Sequence, residues 1–205
     1  SPVTQAHEFQ HLIDAIVEIK FEAGYKVPLQ GLALAGYSLL TYAHGIGSGR
    51  MTVQYGNMSL ELEEDEYELA VFSTDDGDTD LCWIRLHKGI GIQFKNLTNS
   101  ISTPEYGMDC VLVKKIGSNF EIRPMTNVVD SDYFMMVSDV SRLSGVRYGN
   151  FKYFGKHSRG DCGSLILQKI KGTWKMIGLH NSGAAAGQRC AGVRLDIVPI
   201  QMVLE

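Results

Sequence analysis

A cysteine turn late in the chain, Gly160-Asp161-Cys162-Gly163-Ser164, decides how the rest of the sequence is interpreted. The glycines beside Cys162 favour a tight turn that holds the sulfur outward and lets another backbone approach closely. Successive N–H groups in such a turn can converge on one point and stabilise a developing negative charge. The alternative is a buried cysteine that serves only as a small hydrophobic side chain. On this pentapeptide alone the two interpretations are equal.

Composition predicts a soluble globular protein. The 205 residues, 44% hydrophobic and 20% charged, fit one large domain or two small ones. The formal net charge of -4 gives no overall attraction to nucleic acid or to an anionic membrane. The sequence shows neither a membrane-spanning run nor a basic-then-apolar signal segment, so we expect no membrane partner.

The four cysteines, Cys82, Cys110, Cys162 and Cys190, are widely separated. They form no C-x-x-C pair, and no histidine stands at zinc-finger spacing from them. We therefore expect no metal, no cofactor, reduced thiols and a cytosolic setting. A single thiol with a separate histidine partner is the remaining chemical use.

Short β-type segments separated by glycine, asparagine and acidic clusters dominate the chain. They predict an antiparallel sandwich or barrel built as two halves of about six strands. We place the halves at residues 1–90 and 105–205, joined by an irregular connection at 91–104, with short helices at 2–13 and 197–204. The predicted strands are Ile16–Phe21, Leu32–Ala35, Tyr37–Thr41, Met51–Tyr55, Glu68–Phe72, Asp80–Leu86, Cys110–Ile116, Phe120–Ile122, Tyr133–Val137, Phe151–Phe154, Ser164–Gln168, Trp174–His180 and Gly192–Leu195. The acidic run Glu61–Glu68 is predicted as a solvated hairpin tip.

A cysteine nucleophile needs a base, because a free thiol with a pKa near ~8.5 is mostly protonated at neutral pH. Of six histidines, His44 stands between an apolar strand and a glycine turn, which gives its ring a rigid base and access to a cleft. A surface or core role is the alternative for any single histidine. Asp80, at the head of an apolar strand, is the candidate orienter of that ring; Asp75, Asp76 and Asp78 are its rivals on the same loop.

These motifs resemble those of a known family. Thr41-Tyr42-Ala43-His44 resembles the T-A-A-H-type histidine motif of chymotrypsin-like proteases, and Asp80–Leu86 resembles their aspartate-headed strand. The cysteine turn resembles their G-D-S-G-G nucleophile turn with sulfur in place of oxygen. Together with Gly178-Leu179-His180 on the next strand, the pattern is similar to the 3C-like cysteine proteases of picornaviruses and related viruses. The resemblance covers nearly the whole chain and implies two six-stranded antiparallel β-barrels.

The resemblance implies a cysteine endopeptidase with assigned catalytic residues. His44 would be the general base and then the acid, and Asp80 would hold its tautomer. Cys162 would form the thioester acyl-enzyme. The N–H groups of Gly160, Asp161 and Cys162 would form the oxyanion hole.

The resemblance also implies a pocket for the substrate residue before the cleaved bond (P1). His180 would donate a hydrogen bond to a P1 glutamine, or to a glutamate, and Tyr153 would keep its ring neutral. Gly178 belongs to the same motif and is taken as substrate-binding. His157 departs from the family pattern, which has a threonine there, and its ring would contact or exclude the P1 side chain. The Gly183–Gly187 stretch would leave room for an extended substrate strand.

Partners follow from the same resemblance. The expected substrate is a viral polyprotein in the host cell cytoplasm, with host proteins as further candidate partners. The picornavirus enzymes bind RNA through K-F-R-D-I, whereas this chain has Gln93-Phe94-Lys95-Asn96-Leu97, with one basic residue fewer. We therefore expect weak or no RNA binding. The alternative function is a protease-like scaffold that mainly binds RNA or a partner protein.

Overall fold

The computed structural model describes residues 6–136, 145–184 and 188–204, which fold almost entirely into β-strands. A 3-10 turn at Ala6–Phe9 leads into helix α1 (Gln10–Ile13), and helix α2 (Ile197–Leu204) is the last described element. The strands are β1 (Ile16–Ala23), β2 (Leu29–Ala35), β3 (Ser38–Tyr42), β4 (Ser48–Tyr55), β5 (Met58–Leu62), β6 (Tyr67–Thr74), β7 (Gly77–Leu86), β8 (Cys110–Ile116), β9 (Asn119–Met136), β10 (Gly145–Phe154), β11 (Leu165–Ile170), β12 (Thr173–Gly183) and β13 (Arg189–Arg194).

The first seven strands form an antiparallel sheet in the order β6-β7-β3-β2-β1-β4-β5. Every residue of β2 and of β3 is buried, which departs from the alternation of a strand with one solvated face. Both strands are buried on both faces because each face packs against a hydrophobic cluster. Leu32 and Leu34 belong to a cluster shared with the second half, whereas Leu29 and Ala33 enter the core of the first half.

The last six strands close into a ring. They pair antiparallel in the order β13-β12-β11-β8-β9-β10, and β10 pairs back onto β13. Closure leaves no free sheet edge in such a barrel. Its interior holds Leu112, Phe151, Ile166 and Ile177, all fully buried.

The all-β prediction with short terminal helices is confirmed, with local corrections. The acidic run is not one hairpin tip: Glu61 lies in β5 and Glu68 in β6, and the 3-10 turn Glu64–Glu66 connects the two strands. The predicted strands Phe120–Ile122 and Tyr133–Val137 are parts of one long strand as far as Met136, since β9 passes from β8 to β10 as its partner. Residues 2–5 of the predicted first helix and Val137 of the predicted strand lie outside the described residues. Among the residues that the structure describes, no helix is long and apolar enough to cross a membrane.

The two halves meet behind the cysteine turn, where β2 supplies the buried Gln30. Its side-chain amide donates to the Lys115 carbonyl at 3.1 Å and accepts from the Lys115 N–H at 2.8 Å. Its backbone N–H donates to the Cys162 carbonyl at 3.4 Å. One residue of the first half therefore holds both β8 and the cysteine turn of the second.

We predict that Gly163→Ala destabilises the protein far more than Gly172→Ala. Both glycines have left-handed backbones, with φ of +89° and +81°. A Cβ on Gly163 would lie 1.9 Å from the Gln30 carbonyl oxygen, whereas one on Gly172 meets nothing within 4 Å. The left-handed backbone costs about 1–2 kcal/mol in both variants, and overpacking adds about 1–3 kcal/mol or more at Gly163 alone. Urea unfolding of both variants checks this, and equal losses would contradict the close approach.

Candidate active site

His44 is held by a buried carboxylate. Strand β3 ends at Tyr42, and the 3-10 turn Ala43–Gly45 that follows carries His44 toward β7, the next strand in the sheet. There Asp80, fully buried, accepts from the His44 backbone N–H at 2.9 Å through Oδ1, and its Oδ2 lies 2.7 Å from the ring Nδ1. A carboxylate on Nδ1 fixes a proton there and leaves Nε2 as the basic nitrogen.

The rival aspartates lie elsewhere. Asp75 and Asp76 are exposed in the turn between β6 and β7. The Asp78 carboxylate accepts from the Ser73 hydroxyl at 2.7 Å and lies 3.6 Å from an Arg147 nitrogen. Asp80 is therefore the carboxylate that the structure brings to His44.

Cys162 is partly buried and packs against the core cluster of the first half, which contains Tyr42. The Tyr42 ring packs 4.6 Å from the His44 ring and also lies against Gly163, where a Cβ would be 3.0 Å from its Cδ1. The thiol Sγ is 3.5 Å from the Asn181 carbonyl oxygen. Burial raises the pKa of the Cys162 thiol to about 12, and the negative charge of Asp80 contributes to the rise. The resting thiol is therefore protonated at neutral pH and requires a base to react.

Some backbone N–H groups of the cysteine turn are hydrogen-bonded within the described structure, and two are not. Gly160 and Gly163 both have φ of +89°, a conformation that favours glycine. The Asp161 N–H donates to the Ser158 carbonyl at 3.3 Å, and the Gly163 N–H donates to the His180 carbonyl at 2.6 Å. Within the described ranges the N–H groups of Gly160 and Cys162 have no acceptor. Of the three donors predicted for the oxyanion hole, the Asp161 N–H is thus already hydrogen-bonded, whereas those of Gly160 and Cys162 are available.

His180 is a second, chemically different histidine. It lies on β12 and is almost completely buried, and its Nδ1 is hydrogen-bonded to the hydroxyl of the fully buried Tyr153. Burial lowers the pKa of His180 to about 3, and positive charge on His157 and Arg123 acts in the same direction. Burial also raises the Tyr153 pKa well above its ordinary value. Both groups are therefore neutral around pH 7.

Of the other two predicted substrate residues, His157 lies against the end of β12 and Gly178 lies inside the barrel. The His157 ring lies against the backbone of Gly183 at the end of β12, where a Cβ would be 2.4 Å from the His157 Nδ1. Gly178 lies in the barrel interior, and a Cβ there would be 2.5 Å from Phe151. Its missing side chain makes room for the ring that packs on Tyr153, so Gly178 supports the hydrogen-bond partner of His180, and its substrate-binding role stays a prediction. Residues 185–187 of the predicted Gly183–Gly187 space lie outside the described residues.

Asp161 has partners that were not predicted from the sequence. Its carboxylate is fully buried and accepts from Lys114 at 3.0 Å and from Arg123 at 2.8 Å. Burial would raise its pKa, but hydrogen bonds from Arg123, from the Ser158 N–H and from Lys114 hold the pKa at about 2. The only sequence signal for the cations was two lysines, Lys114 and Lys115, inside an apolar strand.

A second polar network lies under the thiol. The side-chain amide of Asn181 donates to Asn150 at 3.0 Å, and Asn150 donates to the Arg147 carbonyl at 2.9 Å. Both asparagines are buried, and the Asn181 carbonyl faces Cys162. No group of three or more histidine, cysteine or acidic side chains among the described residues is arranged to hold a metal ion.

Solved structures resemble this arrangement over nearly the whole chain. The 3C protein of HRV-C with rupintrivir matches with a TM-score of 0.70 at 15% identity, covering 93% of this chain and 97% of its own. The chain has the chymotrypsin-like two-barrel fold. The same fold is shared with tobacco etch virus protease complexed with product (TM-score 0.71, 15% identity, 95% of this chain and 79% of that one). A third match is Rv3671c protease, inactive form (TM-score 0.66, 16% identity, 99% and 94%).

No family model and no curated protein matches the sequence. At these identities the likeness establishes the chymotrypsin-like fold, and the chemistry depends on the residues of the site. Those residues come from both barrels, with His44 and Asp80 in the first and Cys162, Tyr153 and His180 in the second.

The neutral state of His180 predicts a pH-dependent contribution to stability. Its pKa of about 3 lies below that of an exposed histidine, near ~6.5, so the unfolded chain binds the extra proton first. This contribution is complete above about pH 6.5 and is lost as the pH falls toward 3. We expect His180→Gln to remove a slope of up to about 1.4 kcal/mol per pH unit between about pH 6.5 and pH 4.5.

Urea unfolding across that pH range measures the slope. His11→Gln, which changes an exposed histidine of α1, is the control and should keep the wild-type slope. An unchanged slope in His180→Gln would contradict a buried, neutral His180.

Proposed function

We propose that this protein is a cysteine endopeptidase that uses Cys162 as nucleophile, His44 as base and Asp80 as orienter. The observation that carries the proposal is the double contact of the buried Asp80 with His44, at 2.9 Å to its backbone N–H and 2.7 Å to its ring. A histidine with only a surface role would not need a buried carboxylate bound to both its backbone and its ring. In the proposed mechanism this contact leaves the His44 Nε2 free to accept the proton of the Cys162 thiol.

The reaction proceeds by acyl transfer. His44 removes the thiol proton as Cys162 sulfur bonds to the substrate carbonyl carbon, and the carbonyl oxygen becomes an oxyanion. The N–H groups of Gly160 and Cys162 donate to that oxyanion, which is typically worth ~3 kcal/mol per donor. Collapse of the intermediate breaks the C–N bond, and the His44 proton goes to the leaving amine. Water, deprotonated by His44, then attacks the thioester, and the carboxylic acid and free thiol are released.

His180 selects the substrate residue at P1. With the Tyr153 hydroxyl donating to Nδ1, the ring proton is on Nε2 and can donate to a side-chain carbonyl. A neutral donor suits the uncharged amide of glutamine and accepts glutamate less well. A buried donor also rejects apolar side chains, which would leave it unpaired. His157, against Gly183, is the neighbouring group that adjusts this preference.

The proposed substrate class is a viral polyprotein cleaved in the host cell cytoplasm. Support comes from the proteins that share the fold, among them the HRV-C 3C protein and tobacco etch virus protease, the latter solved with product. Host proteins are secondary substrates in this proposal. In the connection between the barrels Lys95 is exposed while Phe94 and Leu97 are buried, a surface with little charge to hold RNA.

We predict that peptides with a Gln-Gly or Gln-Ser bond are cleaved and that Cys162→Ala abolishes cleavage. Removing the nucleophile leaves no route to the thioester, so product should fall to background in a chromatographic assay. His44→Ala should lose activity by about 10⁴-fold or more, since no base remains. His87→Ala, at an exposed histidine, is the matched control. Cleavage that survives Cys162→Ala would overturn the mechanism.

Alkylation separates this proposal from the binding scaffold. Iodoacetamide should modify Cys162 rapidly in the wild type and slowly in His44→Ala, as mass spectrometry of tryptic peptides shows. Cys82, Cys110 and Cys190 are buried and should label slowly in both proteins. Uniform slow labelling of all four cysteines would favour the scaffold.

We predict that His180→Leu changes substrate choice more than thiol reactivity. Loss of the donor should reduce the preference for Gln over Ala at P1 by about 100-fold, because the amide then enters an apolar pocket. The rate of Cys162 alkylation measures thiol reactivity in the same variant and should stay near that of the wild type. A Gln preference that is unchanged would show that another residue selects P1.

A further inference from the structure

The carboxylate next to the nucleophile is held from three sides. Asp161 Oδ1 lies 3.0 Å from Lys114 Nζ on β8, and Oδ2 lies 2.8 Å from Arg123 Nη1 on β9. Oδ2 also accepts from the Ser158 backbone N–H at 2.6 Å. The carboxylate is fully buried, whereas the cations are 18% and 13% exposed. It is therefore completely enclosed by donors.

Arg123 also holds the start of the loop that ends at the nucleophile. The same Nη1 that contacts Asp161 donates to the Lys156 carbonyl at 2.9 Å. One guanidinium thus ties together two points five residues apart, on either side of the exposed Ser158 and Arg159. A planar fork with several fixed donors is suited to hold two acceptors in one geometry.

Asp161 lies between the two N–H donors in the sequence. The N–H of Cys162 belongs to the peptide that follows Asp161, and the N–H of Gly160 belongs to the peptide between Arg159 and Gly160, inside the turn that the Asp161 N–H closes on the Ser158 carbonyl. With the side chain fixed, rotation about the backbone of Asp161 would break three charge-assisted hydrogen bonds, which are the strong class. Gly160, with φ of +89°, provides no rigidity of its own at this point.

We infer that Lys114 and Arg123 are positioning residues that clamp Asp161 and so hold the Gly160 and Cys162 N–H groups in place for the oxyanion. This role rests on the proposed peptidase function. Neither cation touches the reacting atoms; both act through Asp161. Glu121 completes the clamp, since it lies opposite Lys114 in the β8–β9 register and 3.0 Å from Arg123. The cluster contains two positive and two negative groups.

The clamp predicts that Arg123→Met lowers kcat for a Gln-Gly peptide by about 100-fold, the scale of one lost oxyanion donor. KM should change by about twofold at most, since the P1 pocket remains. Arg123 is a better residue to replace than Lys114 or Asp161, because the charges of those two residues, with that of Asp80, shift the Cys162 pKa, whereas the charge of Arg123 does not. Its loss should therefore leave the thiol and its base intact.

Alkylation distinguishes positioning from general damage to the site. Iodoacetamide forms a bond from sulfur to a saturated carbon as the bond from carbon to iodine breaks. Iodide leaves, His44 takes the thiol proton, and no oxyanion develops. Arg123→Met should therefore label Cys162 within about twofold of the wild-type rate, although its kcat is about 100-fold lower. A parallel fall in both rates would overturn the positioning role and indicate a merely structural one.

Two further variants and one independent measurement complete the test. Arg50→Met removes an exposed arginine that pairs with Glu61 and Glu63 in the first barrel, and should keep wild-type kcat.

Arg123→Lys keeps the charge beside Asp161 but lacks the fork, so its kcat should lie between those of wild type and Arg123→Met. The Lys variant also replaces the Met variant in the test if the Met variant does not fold. Full kcat in either Arg123 variant would overturn the clamp.

Hydrogen exchange of residues 158–162, measured by mass spectrometry, requires no cleavage. Exchange should be faster in Arg123→Met and unchanged in Arg50→Met; equal exchange in all three proteins would overturn the clamp. If wild-type protein does not cleave any peptide, the proposed function fails, and hydrogen exchange still decides whether Arg123 holds the turn.

Discussion

The structure depends on the close approach of the nucleophile turn to one strand of the other barrel. Gly163 packs against the Gln30 carbonyl so closely that no side chain fits, and the Gln30 N–H donates to the Cys162 carbonyl. The Gln30 side chain meanwhile pairs with the backbone of Lys115 as a neighbouring strand would. A buried amide with all its groups paired specifies one arrangement, because any shift leaves polar atoms unsatisfied. This seam sets the relative position of the barrels.

The seam matters because the residues of the proposed mechanism come from opposite sides of it. His44, in the turn directly after β3, and Asp80, in β7, are close because β3 and β7 pair directly, so their mutual geometry is local to the first barrel. The thiol belongs to the second barrel, and its position relative to His44 depends on the contacts between the barrels, among them those of Gln30 and of the Tyr42 ring, which packs on the His44 ring and lies against Gly163. A peptidase of this design therefore couples inter-barrel packing to activity, since a displacement of 1 Å at a reacting pair can cost about 100-fold in rate.

Much of the fold was predictable because its signals are local. Alternation identified most strands, and the predicted strands Ser164–Gln168 and Trp174–His180 are joined by a tight turn at Lys171 and Gly172, where φ is positive at both residues. Strand β5 was missed because its exposed residues are largely polar, with only Leu62 buried. The packing role of Gly178 had no signal, because a glycine that makes room for Phe151 and one that makes room for a substrate look identical in sequence.

The site was predictable only where motif and chemistry coincide. His44, Asp80 and Cys162 stand in recognisable motifs, whereas Lys114 and Arg123 are ordinary alternating residues of two strands. What makes them converge on Asp161 is the β8–β9 register together with the path of the 156–161 loop. Long-range pairing of this kind leaves no mark in the spacing of the residues, so only the folded chain shows the clamp.

The two histidines of the cleft show how environment assigns the chemistry. His44 keeps 14% of its side chain exposed and has a carboxylate on Nδ1, so a positive charge formed during the reaction is stabilised where it appears. His180 is buried and has a phenol on the same atom, which offers a hydrogen bond without a countercharge. Burial without a countercharge excludes a proton from the His180 ring, whose pKa is held at about 3. In the proposed mechanism the charged partner, Asp80, supports a base at His44, and the neutral partner, Tyr153, in a buried site supports a hydrogen-bond donor at His180 that suits an uncharged amide.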